Sequence, residues 1–390
     1  MSLKEQEIEK NSIDVRGMSA KKPRMANLEL LRCLAMMMVV VLHFLGKGNV
    51  LPDLMEPQLG GTGMAAWLLE CFCIVAVNLY MMISGYFLCT SSFKPSRLLQ
   101  LWLQVWVYSV GVGLLSCFLG IYPAEEFSFH YLLTLVLPIS MGHYWFLTAY
   151  VFLYLLLPLF GKTVQEMSKK QMQVVLGLLL FTFCILKSVL PARLEMDAKG
   201  YDCLWYLCVF LTAAYIRRFG AGILQKKAGC TVLYLAGVLA VFGGTMGLRQ
   251  IYLRMGSLEH IMKICIEYNH ILPLAASVGL FGWFLKLRVP EKITGPVNKI
   301  APYTLGVYLL HENLGVRYAW QKWFGAERID SLVSLVGRTL LAAVTVFVVG
   351  ILIDMLRAGI MKGLHSLLGR LRPYRLLTEK VLALDELFRR

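Results

Sequence analysis

The chain has 390 residues, of which 58% are hydrophobic and 16% are charged, and its mean hydropathy is +0.63. This composition excludes an ordinary water-soluble protein, because apolar stretches of about 17–25 residues recur along the chain and each can cross ~30 Å of hydrocarbon. The net charge of +15 does not indicate nucleic-acid binding, since the basic residues lie in short clusters between apolar stretches. We therefore expect an integral membrane protein with the lipid bilayer, and no nucleic acid, as its partner.

Ten apolar segments in chain order predict an all-α, polytopic transmembrane helical bundle. They cover residues 28–45, 64–88, 98–120, 143–160, 172–190, 203–217, 229–248, 270–286, 302–315 and 332–356. The basic clusters occupy every second gap, which places both termini in the cytoplasm by the positive-inside rule. The apolar stretch 131–139 is short and contains Pro138, so we expect an outer-face or re-entrant helix there.

The domain organisation is predicted to be a single helical bundle. We see no repeat of 20–50 residues and no low-complexity linker. A cytoplasmic tail is expected at 1–26, the transmembrane functional domain at 27–356, and a basic cytoplasmic tail at 357–390. The ten cysteines fall mostly within apolar stretches, and we expect no metal site and no tightly bound cofactor.

The first predicted span carries Glu29, Arg32 and His43. Arg32 and His43 are eleven residues apart, about 20° from three full turns, so they share one helix face about 16 Å apart. An arginine suits a phosphate, and a histidine can accept a proton from a hydroxyl near neutral pH. The pair is compatible with a phosphate-bearing donor and a hydroxyl acceptor. Alternatively, Arg32 pairs with Glu29 at the membrane interface and His43 hydrogen-bonds a neighbouring helix.

Small and polar residues mark the second and third spans. Asn78 lies on one stripe with Gly85, and Ser84 is next to it, which favours close helix packing over a nucleophilic serine because no base is evident nearby. Lys94 and Arg97 open the third span, where they either anchor the cytoplasmic end or hold an anionic donor.

Further polar residues occur at the fourth and ninth spans. His143 and Trp145 begin the fourth span, where an interfacial histidine is inexpensive to hydrate. Tyr308, His311 and Glu312 lie in the ninth. Polar groups at that depth usually face the bundle interior or a wet cavity, so we expect Tyr308, His311 and Glu312 in a functional site.

Taken together and in order, these stretches resemble membrane acyltransferase family 3, whose members transfer acetyl or similar groups to extracytoplasmic polysaccharides and related cell-envelope glycans. The most specific match is an N-x-E-x-x-R-x-x-A frame in the first span, followed by His43. That frame is formed by Asn27, Glu29, Arg32 and Ala35. Later matches lie at 79–87, 94–97, 143–147 and 308–311, so the resemblance covers nearly the whole chain.

The resemblance implies an acyl-CoA-dependent O-acyltransferase of the plasma membrane. Acyl-CoA, most simply acetyl-CoA, would enter from the cytoplasm as co-substrate with its phosphates near Arg32, Arg97 and Lys94. His43 would act as general base on a saccharide or glycolipid hydroxyl, with His311 as a second catalytic residue. Substrate-contacting or structural polar roles are expected for Glu29, Asn78, Ser84, His143, Trp145, Tyr308 and Glu312.

Many relatives carry an appended extracytoplasmic esterase-like domain, and no such domain is expected in this sequence. The enzyme is then expected to act alone or to hand the acyl group to a separate extracytoplasmic transferase. Two alternative functions would also explain buried polar residues in the membrane helices of this chain. They are a transporter or flippase of lipid-linked saccharides and a ligand-binding membrane module.

Overall fold

The computed structural model describes residues 24–190, 197–257 and 259–388. The protein is 78% helical and the described residues contain no β-strand, which confirms the predicted all-α fold. The predicted N-terminal tail lies outside the described residues up to residue 23.

The helices are numbered here in chain order. They are α1 Ala26–Lys47, α2 Gly60–Cys73, α3 Ala76–Leu88, α4 Pro95–Phe118, α5 Phe129–Val136, α6 Trp145–Glu166, α7 Lys169–Leu180, α8 Leu186–Val189, α9 Cys203–Phe219, α10 Lys227–Met255, α11 Ile271–Leu285, α12 Glu291–Ile300, α13 Thr304–His311, α14 Trp320–Trp323, α15 Leu332–Leu368 and α16 Arg372–Leu387. A π-helical turn at Phe181–Ile185 joins α7 to α8.

Eight helical stretches in the described part of the chain are long and apolar enough to cross a membrane. All ten predicted segments overlap helices, but α9 has 17 residues and α13 has only 8, so the segment predicted as a span at 302–315 is too short to cross the membrane as a helix. Helix α13 ends at His311, so Glu312 lies just beyond the helix end instead of inside it. Helix α5 is also 8 residues long, too short to span, as expected for 131–139.

Helix α1 lies at the centre of the bundle. It packs against α2, α3, α11, α12, α13 and α15. Leu31 and Ala35 on this helix are fully buried, as is typical of a helix that is apolar on most of its faces. This central position places the side chains of Arg32 and His43 among neighbouring helices.

Small residues allow two helix pairs to approach closely. A Cβ atom on Gly85 of α3 would lie 2.9 Å from the Cα atom of Phe210 in α9. A Cβ atom on Gly279 of α11 would lie 2.6 Å from the backbone nitrogen of Tyr234 in α10. Glycine is therefore required at both positions, because any side chain would push the backbones apart.

The C-terminal helix α16 packs against the start of α4. The Asp385 carboxylate accepts hydrogen bonds from the backbone N–H of Ser96, at 2.9 Å, and from its hydroxyl. Phe388 packs edge-on against Phe93 with ring centroids 5.0 Å apart. The basic C-terminal segment is thus folded onto the bundle at the first turn of α4.

Candidate active site

Two histidines from different helices form a hydrogen-bonded pair. Nδ1 of His43 in α1 lies 2.9 Å from Nε2 of His311 in α13, and Nδ1 of His311 lies 2.6 Å from the Val307 carbonyl oxygen. A carbonyl only accepts, so His311 carries its proton on Nδ1 and accepts at Nε2 from the Nδ1–H of His43. The Nε2 atom of His43 is consequently left with a free lone pair. These contacts make His43 the proton acceptor of the pair.

A buried carboxylate supports this pair electrostatically. Glu312 is 2% exposed, and its Oε1 atom lies 3.8 Å from Nδ1 of His43. Lys47 forms an ion pair with the same carboxylate, and Arg317 lies 4.0 Å from its other oxygen. The two cations compensate the buried charge, which would otherwise be costly in this environment. A proton gained by His43 would be stabilised by the nearby negative charge.

His143 has a different role. The backbone N–H of Leu314 donates to its Nε2 atom at 3.0 Å, so its proton is on Nδ1 and faces the Ser109 hydroxyl at 3.0 Å. Burial, and next the charge of Arg317, lower the pKa of His143 to about 3, so the ring is neutral. A general base needs a lone pair facing the serine, and here a proton faces it. His143 and Ser109 therefore form a structural contact and not a nucleophile–base pair.

An apolar cavity of about 60 Å³, the histidine cavity, borders His43. Its walls include Tyr80, Phe146 and Leu305, together with the predicted site residues Trp145 and Tyr308. The Tyr308 hydroxyl is buried without a hydrogen-bond partner among the described residues. The cavity combines a hydrocarbon-like wall with a single imidazole.

A second cavity of about 620 Å³, the arginine cavity, lies toward the opposite end of α1. Its wall carries four arginines and one glutamate. These are Arg24, Arg32, Arg97, Arg217 and Glu29. It shares the wall residues Tyr80, Phe146 and Leu305 with the histidine cavity, so the two cavities adjoin. A cationic chamber thus lies next to the apolar cavity that borders the imidazole.

A third cavity of about 870 Å³ adjoins the arginine cavity at Arg97. Lys94, Lys162 and Ser96 are among its lining residues, and Phe388 of the C-terminal segment lies on its wall. Arg97 therefore belongs to both cationic chambers.

A family model described as an acyltransferase domain, that of acyltransferase family 3, matches residues 25–355. The chain belongs to membrane acyltransferase family 3. The match contains every residue of the two histidines' environment and of the arginine cavity wall except Arg24. Comparison with curated proteins and with solved structures gives no match.

The acyltransferase brings most of its predicted site residues to these cavities. His43, Trp145 and Tyr308 line the histidine cavity, with His311 and Glu312 behind His43. The arginine cavity is lined by Glu29, Arg32, Ser84 and Arg97, among others. Arg32 also forms an ion pair with Glu29 at 3.1 Å, which is the pairing given above as the alternative to phosphate binding.

Among the predicted site residues, Asn78 and His143 line none of the three cavities and do not take part in the contacts of His43 with His311 and Glu312. Asn78 donates to the Tyr268 carbonyl oxygen and accepts from the indole N–H of Trp205, each at 3.0 Å. It therefore joins α3 to two other parts of the bundle. His143 lies beside Ser109 and Leu314, as described above.

The sequence analysis did not identify four charged contributors to the site. Lys47 and Arg317 pair with Glu312, whereas Arg24 and Arg217, which belong to basic clusters between apolar stretches, line the arginine cavity. The signal for Lys47 was its position four residues after His43, on the same helix face. Arg217 carried no local signal, because its place in the cavity wall depends on how α9 packs.

Proposed function

We propose that this acyltransferase moves a short acyl group, most simply acetyl, from cytoplasmic acyl-CoA to a hydroxyl of a cell-envelope saccharide in the plasma membrane. The observation that carries the proposal is the junction of the arginine cavity with the histidine cavity at Tyr80, Phe146 and Leu305. One chamber suits a phosphate-bearing donor and the other holds a proton acceptor.

The donor would bind in the arginine cavity. Coenzyme A carries several phosphate oxygens, and guanidinium groups bind such oxygens in bidentate, charge-assisted hydrogen bonds. Arg97 and Arg217 form no ion pair among the described residues, whereas Arg32 pairs with Glu29. We assign the donor phosphates first to these two arginines. The thioester would then extend toward Tyr80.

The small size of the histidine cavity supports a short acyl group. Its volume of about 60 Å³ is about a tenth of the volume of the arginine cavity beside it, about 620 Å³. An acetyl group matches that size and an apolar wall, whereas a long fatty acyl chain does not.

The reaction proposed is a direct transfer. Nε2 of His43 takes the proton from the acceptor hydroxyl, and the acceptor oxygen attacks the thioester carbonyl carbon. The carbon–sulfur bond then breaks, and the departing coenzyme A sulfur takes the proton from His43. His311 fixes the ring through its contact with Nδ1, and the Glu312 carboxylate stabilises the transient imidazolium.

Direct transfer is favoured over a serine- or cysteine-bound intermediate. The described side chains that line the histidine cavity include no serine, threonine or cysteine. The Ser109–His143 contact has the wrong proton arrangement to make Ser109 a nucleophile.

The proposal is tested with purified protein in lipid nanodiscs and radiolabelled acetyl-CoA. His43→Gln is expected to lower donor turnover by about 10²- to 10⁴-fold while donor binding persists, because the general base is lost and the arginine cavity remains. His130→Gln, at an exposed histidine on α5, serves as the matched control. Absence of acetyl-CoA binding by the folded wild-type protein would overturn the proposed donor.

A further inference from the structure

Three aromatic rings form a continuous surface next to the histidine cavity. The ring centroids of Trp145 and Tyr201 are 4.3 Å apart, those of Tyr201 and Tyr268 are 5.1 Å apart, and those of Trp145 and Tyr268 are 5.9 Å apart. Trp145 and Tyr268 line the histidine cavity, whereas Tyr201 is 47% exposed. This aromatic shelf, made of the three residues, therefore extends from the protein surface to the cavity wall.

A carboxylate stands near the shelf. The Oε2 atom of Glu70 in α2 is sealed from solvent and has no hydrogen-bond partner among the described residues. Residues 74 and 75 keep helical dihedral angles between α2 and α3, so Glu70 shares a face with Val77, about 10 Å away. Val77 lines the histidine cavity. Glu70 also lies close enough to the phenol groups of Tyr201 and Tyr268 to act on them electrostatically.

The backbone that carries Tyr268 is held in place on both sides. The buried Lys187 ammonium forms ion pairs with Asp197 and with Glu267, and Asn269 donates to Asp197 at 2.8 Å. These contacts flank Tyr268 in the chain, and Asn78 holds its carbonyl oxygen. The shelf is thus ordered before any ligand arrives, which reduces the entropy lost on binding.

We propose that the aromatic shelf and Glu70 form the acceptor subsite of the acyltransferase, and that this subsite takes an uncharged sugar ring. The proposal rests on the proposed function. The apolar C–H face of a pyranose matches an aromatic ring face, and a sugar hydroxyl would donate to the unpartnered Oε2 atom of Glu70. A second hydroxyl on the same ring could then reach His43 past Trp145 and Tyr268.

The charges around the shelf determine which sugars fit. The carboxylates of Glu70, Glu267 and Glu312 act on Tyr201. Glu267 and Glu312 are paired with lysines, whereas Glu70 forms no ion pair within the described part of the chain. A uronic acid or a phosphorylated sugar would place its negative charge beside Glu70 without a cation to pair with, which is costly for a buried charge. The subsite therefore selects against anionic sugar rings.

Saturation-transfer NMR on the protein in zwitterionic nanodiscs tests this assignment, with methyl glucoside and methyl glucuronide as probes. The wild-type protein is expected to saturate the ring protons of the glucoside and not those of the glucuronide. Tyr201→Ala is expected to weaken glucoside binding about tenfold, whereas Tyr201→Phe retains the ring and the binding. Glu70→Leu is expected to weaken glucoside binding, because the sugar hydroxyl would lose its hydrogen-bond partner.

Tyr122→Ala is the matched control, because Tyr122 also stacks on another tyrosine, Tyr131, but lines neither cavity. Equal binding of the two probes by the wild-type protein would overturn the proposed subsite. Glucoside binding that is unchanged in the Tyr201→Ala variant would also overturn it. Lack of any glucoside signal in the wild-type protein would also overturn it.

A parallel assay of acetyl-CoA turnover separates this proposal from the one on which it rests. If His43→Gln abolishes turnover while Tyr201→Ala leaves glucoside binding intact, the subsite is wrong and the proposed function stands. If the wild-type protein binds glucoside at the shelf but binds no acetyl-CoA, the proposed donor is wrong and the sugar site stands.

Discussion

The Oε1 atom of Glu312 lies 3.8 Å from Nδ1 of His43, so a fixed negative charge stands beside the ring that would gain a proton during catalysis. Two unit charges about 4 Å apart attract each other by about 4 kcal/mol at an effective dielectric constant of about 20. Lys47 and Arg317 offset part of that attraction, because both face the same carboxylate. Glu312 is therefore expected to affect the chemical step more than substrate binding.

Glu312→Gln is predicted to lower kcat about 10- to 100-fold with little change in the KM for acetyl-CoA. The substitution retains the size of the side chain but removes the charge that stabilises the imidazolium. Steady-state kinetics of the purified variant check this. An unchanged kcat would contradict the role assigned to Glu312.

The control for this prediction must allow for Lys47, which loses its buried partner in the Glu312 variant. The double variant Lys47→Met/Glu312→Gln removes both charges and should recover thermal stability without recovering kcat. Glu327→Gln, at an exposed glutamate that pairs with Lys322, should leave kcat unchanged. Recovery of kcat in the double variant would indicate that misfolding had caused the loss.

His311 is predicted to act by positioning His43, so its replacements should differ according to whether they accept a hydrogen bond. Gln at this position can accept from the Nδ1–H of His43, and Phe cannot. His311→Phe should therefore lower kcat at least about tenfold more than His311→Gln, with a similar KM for the donor in both. Equal losses in the two variants would show that the contact at 2.9 Å does not orient the base.

Arg97 is predicted to determine donor affinity, because it lies on the walls of both cationic cavities. Arg97→Ala should weaken acetyl-CoA binding by about 10- to 100-fold, since a hydrogen bond to a charged group contributes about 1.5–3 kcal/mol. Arg97→Lys should recover part of the affinity but not the bidentate geometry. Isothermal titration in nanodiscs measures both, and Arg254→Ala, at an exposed arginine on α10, is the control.

Much of the fold could be predicted from the sequence because the bilayer imposes a length on apolar segments. All ten predicted segments overlap helices, and 131–139 overlaps the short helix α5. The end of α13 at His311 could not be predicted, because the two polar residues that follow it, Glu312 and Asn313, do not by themselves mark a helix end. Their place is fixed by contacts with distant residues, such as Lys47 for Glu312 and Tyr108 for Asn313.

The candidate site was predictable where one helix carries both groups, as with Arg32 and His43. The pairing of His43 with His311 joins residues 268 positions apart, and no periodicity in the sequence indicates such a contact. Glu70 and Arg217 illustrate the same limit. Glu70 lies inside the predicted span 64–88 and Arg217 ends the predicted span 203–217, and only helix packing places them near the aromatic shelf and the arginine cavity.

His143 is predicted to make the protein less stable in mild acid. Burial, followed by the charge of Arg317, holds its folded-state pKa at about 3, whereas an unfolded histidine has a pKa of about 6.5. As the pH falls below about 6.5, the unfolded chain binds a proton that folded His143 does not. The free energy of unfolding should then decrease by about 1.4 kcal/mol per pH unit from this residue, or about 2 kcal/mol by about pH 5.

His143→Gln removes this titration while every other titrating group is retained. The variant should be less stable than the wild-type protein at about pH 7.5, because the contacts with Ser109 and Leu314 change. Its loss of stability between about pH 7.5 and about pH 5 should nevertheless be smaller by about 2 kcal/mol. Reversible unfolding in mixed micelles at both pH values measures the difference. Parallel pH dependences for the two proteins would show that His143 is protonated in the folded state as readily as in the unfolded chain.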